Sequence, residues 1–136
     1  MIRITAARVM LAFTFAALPL MGCVRLAGLT TPPPTRTGDL DDEHETIRLS
    51  AGVGLAFDCR YQTFLENEPC PAVSTATTDD QRIARAYRAH VDELLPEWRR
   101  RGHQTGFVIV GVSPGTTVLR LRFGTTEDEY EVTVDK

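Results

Sequence analysis

The amino-acid sequence reads as a mainly β domain carrying one helical insertion at about 80–101. Three observations point there. Apolar residues alternate with polar ones at Ile47 and Leu49, at Val53, Leu55 and Phe57, at Leu119, Leu121 and Phe123, and at Tyr130, Val132 and Val134. That is the period-two signature of strands with one buried face. A continuous apolar run over 107–112 has the form of a strand buried on both faces. Helical spacing occurs in one stretch, where Ile83, Tyr87, Val91, Leu94, Leu95 and Trp98 recur at steps of three and four and so share a face.

In chain order, Arg3 and Arg8 form a basic start to an apolar run over 9–21 that only Thr14 interrupts. The run is shorter than the roughly 20 residues a helix needs to cross hydrocarbon, and a cationic start before a short apolar run marks an export signal. Leu20-Met21-Gly22-Cys23 resembles the bacterial lipobox, with an aliphatic residue three before the cysteine and a small one just before it. The resemblance implies a lipoprotein signal peptide over 1–22 and a mature chain that starts at Cys23, acylated there and anchored to a membrane.

The segment 23–45 reads as a disordered tether. Pro32, Pro33 and Pro34 favour extended polyproline II, and Asp39, Asp41, Asp42, Glu43 and Glu45 surround His44 in an acidic run. That run lacks the glycine-punctuated oxygen spacing of a calcium loop, and a solvated charged linker is the expectation. The folded domain is then expected over 46–136.

Three cysteines make an odd count that the lipobox resolves. With Cys23 taken by lipid, Cys59 and Cys70 are left as a pair in an oxidising compartment, and a disulfide is expected. Two cysteines eleven apart with no histidine beside them make poor zinc spacing.

Within the helical stretch, Thr78 or Asp79 suits the N-cap, and Arg99, Arg100 and Arg101 suit the negative C-terminal end. Pro96 bends or ends the helix near Leu95. The sequence leaves 82–87 open between helix and strand, because Arg82-Ile83-Ala84-Arg85 also fits a strand. Farther on, Ser113-Pro114-Gly115 fits a turn with a positive φ at the glycine. Burying the apolar sets of the last two strands together puts Arg120 and Arg122 on the solvent face with Glu129 and Glu131.

The segment 111–121, Gly-Val-Ser-Pro-Gly-Thr-Thr-Val-Leu-Arg-Leu, followed by Tyr130-Glu131-Val132-Thr133-Val134, resembles the last hairpins of bacterial Ig-like domains. The resemblance implies a small Ig-like β-sandwich interrupted by the helical insertion. Modules of that kind are binding or spacer units, so it carries over no catalytic residue.

The formal charge of −3 becomes two units more negative once Arg3 and Arg8 leave with the signal, which argues against nucleic acid as a partner. His44, His90 and His103 are scattered, and Ser50, Ser74 and Ser113 lack a nucleophile-elbow context. Glu93 and Glu97 lie one helical turn apart and fit an exposed face. No enzyme activity, metal or cofactor is expected. Trp98, Arg99, Arg100, Arg101 and His103 are the candidate binding residues, suited to phosphate or carboxylate groups.

The expected function is a non-enzymatic envelope lipoprotein, exported and lipid-anchored, that presents its domain to an envelope protein or to peptidoglycan. In a host with an outer membrane it would sit there facing the periplasm, and otherwise on the outer face of the cytoplasmic membrane. A small-ligand or cation-binding lipoprotein and a structural spacer are the alternatives.

Overall fold

The computed structural model describes residues 23–62, 67–90 and 105–136. Among them ten strands follow in order: β1 (Cys23–Gly28), β2 (Gly38–Asp41), β3 (Thr46–Ser50), β4 (Gly54–Gln62), β5 (Asn67–Pro69), β6 (Thr75–Thr78), β7 (Ala84–His90), β8 (Thr105–Gly111), β9 (Gly115–Phe123) and β10 (Thr126–Asp135). They make two five-stranded sheets. The first runs β1-β4-β8-β7, with β5 paired to the C-terminal end of β4, and the second runs β2-β3-β10-β9-β6. Every pair is antiparallel except β3 with β10.

The alternation read from the sequence sets which residues meet between the sheets. Opposed residues in an antiparallel pair share a face. Leu55 lies opposite Ile109 and Phe57 opposite Phe107 in the first sheet. In the second, Leu119 lies opposite Tyr130, and Val132 beside Ile47 of the parallel strand. All eight are buried, with Leu49, Leu121, Val134, Val24 and Leu26 completing the core. β8 is an interior strand as expected, although its outward residues Val108 and Val110 are only half-buried.

Two glycines are required where the chain has no room or an unusual turn. A Cβ on Gly111 would fall 2.8 Å from the Ser50 carbonyl oxygen, so β8 can approach β3 there only without a side chain. Gly115 follows the Ser113-Pro114 turn with φ 151°, a conformation an L side chain rarely adopts.

Two expectations are corrected. Residues 23–45 are not a disordered tether, because β1 and β2 belong to the two sheets and Val24 and Leu26 are buried. The proline segment between them is fastened down. Thr30 Oγ1 accepts the Ala56 N–H at 2.9 Å, Thr37 N–H donates to Ser50 Oγ at 2.9 Å, and Ser50 N–H donates to the Thr37 carbonyl at 2.8 Å. The acidic run forms β2 and the turn into β3, where Glu45 has φ 54°. Val24-Arg25-Leu26 alternates as Ile47-Arg48-Leu49 does, but it stands between the lipobox-like segment and the proline run, which together suggest a linker.

The helical insertion is the second. Gln81–Ile83 is a turn and β7 is a strand, so the segment over 82–87 resolves in favour of strand, while the rest of the helical pattern, 91–101, lies outside the described residues. Ile83 packs beside Gly115 and Tyr87 is half-exposed. The two do not share a buried face, and their spacing matched a helix by coincidence. β8 offers a ladder edge, and pairing with it overrides the intrinsic helical preference of an Ala- and Arg-rich segment.

Leu121 and Arg122 are neighbours on opposite faces, one buried and one exposed. Leu121→Ala is expected to cost about 2–5 kcal/mol through the cavity it leaves, a large share of a typical ~5–15 kcal/mol total. Arg122→Ala should leave the thermal midpoint nearly unchanged. Calorimetry on both variants checks the period-two assignment, and similar losses would refute it.

Candidate functional site

Of the residues singled out from the sequence, Cys23 opens β1, opposite Gln62 of β4. Trp98, Arg99, Arg100, Arg101 and His103 lie outside the described residues, as does the signal segment 1–22. The structure therefore brings the candidate lipid position to one end of the sandwich, alongside the disulfide.

Cys59 and Cys70 form that disulfide, with Cα atoms 5.3 Å apart and both residues buried. The Cys70 N–H also donates to the Cys59 carbonyl at 3.0 Å. The bond sits where the chain leaves the first sheet after β5 and crosses to β6 in the second. Closing a loop of this length stabilises by roughly 2–3 kcal/mol in the chain-entropy account. At the same end, Tyr61 and Phe123 meet edge to face, with ring centroids 5.0 Å apart.

β1 is held by side chains from the opposite sheet, an arrangement that the sequence reading did not find. The Val24 N–H donates to Asp128, and the Leu26 N–H donates to Tyr130 Oη at 3.2 Å. The Tyr130 hydroxyl in turn donates to Asp42 Oδ1 at 2.8 Å, and Asp42 Oδ2 pairs with Arg25 at 3.3 Å. Burial, and the Asp42 carboxylate beside it, raise the Tyr130 hydroxyl well above the usual phenol range. It stays protonated and donating at any physiological pH. No sequence signal marks this chain of bonds, because its members are about 17 to 104 positions apart.

The outer face of the second sheet carries the charged ladder expected from the sequence. Arg120 holds Asp79 through two bonds of 2.9 and 3.1 Å and also meets Glu127 and Glu129, and Arg122 pairs with Glu127. Hydrogen bonds from Arg120 hold Asp79 below the usual carboxylate range, and those from Arg122 do the same for Glu127. Arg120, Arg122, Asp79, Glu127 and Glu129 are all paired, while Glu131, also expected on this face, has no side-chain partner among the described residues; the arrangement describes a solvated sheet surface.

On the outer face of the first sheet, Asp58 is buried and its Oδ2 accepts from Arg60 Nε at 2.5 Å. Burial raises its carboxyl above the usual range against the pull of Arg60. Its Oδ1 has no hydrogen-bond partner among the described residues. Among the described residues, no three His, Cys, Asp or Glu side chains gather as a metal site would need.

Tyr130→Phe removes the hydroxyl and leaves the Leu26 N–H without its acceptor. The expected cost is about 1–3 kcal/mol, read as a lowered thermal midpoint, with faster amide exchange at Val24 and Leu26 than elsewhere in the core. Unchanged exchange at these two amides would show that the tyrosine does not hold β1.

No protein-family model matches the sequence, and no curated protein sequence matches it. Among solved structures the chain is similar in fold to the S-layer protein SbsC. Against domains 4 and 5 of that protein the TM-score is 0.51 at 16% identity, covering 78% of this chain and 54% of that one. Against domains 5–6 it is 0.50 at 17% identity, covering 77% and 45%. A longer SbsC structure gives 0.51 at 15% identity, covering 77% of this chain and 13% of that one. The chain thus spans about half or less of each of these structures, and at such identities the likeness is one of fold.

Proposed function

We propose that the chain is a non-enzymatic cell-envelope module, anchored to a membrane by lipid on Cys23 and presenting an Ig-like sandwich to an envelope protein or to the wall. The observation that carries this reading is the place of the lipobox-like cysteine in the fold. Cys23 lies in β1, paired with Gln62 of β4. A lipidated chain would then enter the fold at once.

The strand order supports the Ig-like part. β1-β4-β8-β7 facing β6-β9-β10 corresponds to the two sheets of a constant-type immunoglobulin sandwich, with β3 and β2 added beyond β10. Likeness to domains of an S-layer protein is in keeping with a structural or binding module at a cell surface.

The geometry gives this reading an orientation. β1 starts at the end of the sandwich where β10 also starts, and Asp135 ends β10 at the other. Ten residues of strand rise about 30 Å at ~3.3 Å each. The turns around Gly52 and Pro114 would stand that far from the bilayer, and the disulfide end would lie against it.

Cys23→Ala is expected to move the protein from the membrane to the soluble fraction after a carbonate wash, with its far-UV circular dichroism unchanged. Mass spectrometry of the native protein should find an acylated Cys23 at the N-terminus. A variant that stays with the membrane, or a native chain with no acyl group, would refute the anchor.

A further inference from the structure

β6 and β7 are the last strands of the two sheets on one side of the sandwich. They run antiparallel around the turn at 79–83, and between them lies a slot of about 330 Å³ lined by Ala76, Thr77, Thr78, Gln81, Ala86 and Tyr87. Hydrogen bonding decides which backbone groups face it. The Val112 N–H donates to the Ile83 carbonyl at 2.7 Å. Bonded and non-bonded pairs alternate in an antiparallel ladder, so Arg85 and Tyr87 exchange bonds with β8 while Ala84, Ala86 and Arg88 point away from it.

The groups of Ala84 are taken, since Thr78 Oγ1 donates to its carbonyl at 2.6 Å and its N–H reaches the Asp80 carbonyl at 3.2 Å. The N–H and C=O of Ala86 and Arg88 have no partner among the described residues. On the facing strand, the Asp79 N–H donates to the Val118 carbonyl at 2.9 Å, and by the same alternation Ala76 and Thr78 turn their backbone groups to the slot. Two unfinished ladders face each other.

Charge distinguishes this edge. Arg25, Arg48, Arg60, Arg82, Arg120 and Arg122 each hold a carboxylate. Arg85, Arg88 and, in the link between β1 and β2, Arg36 hold none among the described residues, but only Arg85 and Arg88 share a strand, and the Arg85 Nε donates only to the Gln81 carbonyl. Among the described residues, the acids of the turn that leads into β7 are occupied, Asp79 by Arg120 and Asp80 by Arg82. Arg85 and Arg88 project to opposite faces of the sheet, one on each side of the open edge. In a chain of net negative charge, β7 is thus a cationic strand in which Ala86 and Arg88 have backbone groups without partners among the described residues.

We propose that the β7 edge takes up an extended, acidic segment of a partner protein as an added strand. The open backbone groups of Ala86 and Arg88 supply the ladder bonds, and Arg85 and Arg88 clamp acidic side chains on the two faces. The proposal gives a chemistry to the protein partner in the reading above and rests on that reading only for its setting. Its test uses purified components, so its failure leaves the lipid anchor standing, and failure of the anchor leaves it standing in turn.

The probe is a fluorescein-labelled Glu-Val-Glu-Val-Glu-Val-Glu peptide, added to the full chain and followed by anisotropy. Saturable binding is expected. Replacing each Glu by Lys, or methylating alternate backbone nitrogens, should weaken it roughly tenfold or more. Arg85→Glu combined with Arg88→Glu should do the same while the thermal midpoint holds. If that variant fails to fold, the two altered peptides on the native chain decide the matter.

Absence of binding up to ~1 mM, near the weak limit of specific recognition, overturns the proposal. Equal binding of the Lys peptide overturns the acidic preference, and equal binding of the methylated peptide overturns the added strand. Dimerisation of the chain without response to the peptide would assign the edge to a second copy and overturn it as well.

Discussion

The constraint on which this fold depends is the satisfaction of β1 at the edge of its sheet. An edge strand presents backbone groups that need partners, and in β1 those of Val24 and Leu26 face the second sheet. Asp128 and Tyr130, both on β10, accept these two N–H groups. The same strand buries Val24 and Leu26 against the core. Hydrogen bonding and hydrophobic cover are therefore one arrangement, since a β1 that peeled away would expose both at once. Tyr130 serves both because it packs its ring inside while its hydroxyl reaches the rim.

Around that closure the two outer faces differ. On the second sheet, alternating Arg and acidic residues neutralise each other across β9 and β10, and a face of paired charges stays solvated and resists pairing with other sheets. The first sheet turns out Ala56, Val108, Val110 and Tyr87, with Asp58 held against Arg60. Its polar content is low, with Asp58 and Arg60 toward one end and Arg85 at the other. The disulfide strengthens the end of Asp58 and Arg60, where the chain crosses between sheets and no ladder joins them.

The loss of the expected tether changes the picture of an anchored protein. A polyproline spacer would let the domain sample many orientations at a distance. With β1 beginning at Cys23, the proposed anchor leaves no such freedom, and the sandwich would stand on one end. The prolines have another use in this structure. They shape the link between β1 and β2, and Pro32 packs so closely beside Gly38 that a Cβ there would fall 2.9 Å from its own.

The sequence by itself determined the strands whose large apolar residues alternate with polar ones, β3 with two such positions and the others with three. β4, β9 and β10, with the apolar run of β8, were legible because one face of each had to be buried, and the period of two follows from that alone. Cys59 and Cys70 were legible by elimination once Cys23 was set aside. The remainder belonged to the tertiary structure. β1, β2 and β7 lack a run of large apolar residues at every second position long enough to outweigh the competing signals around them, and they are strands because a neighbouring ladder pairs with them, which is how a helix-like spacing became an edge strand. The bonds from Leu26 through Tyr130 to Asp42 join distant positions by side chains common anywhere in a sequence. The open edge at Ala86 and Arg88 emerged only once the register was set, because which backbone groups lack partners is a property of pairing and not of residue type.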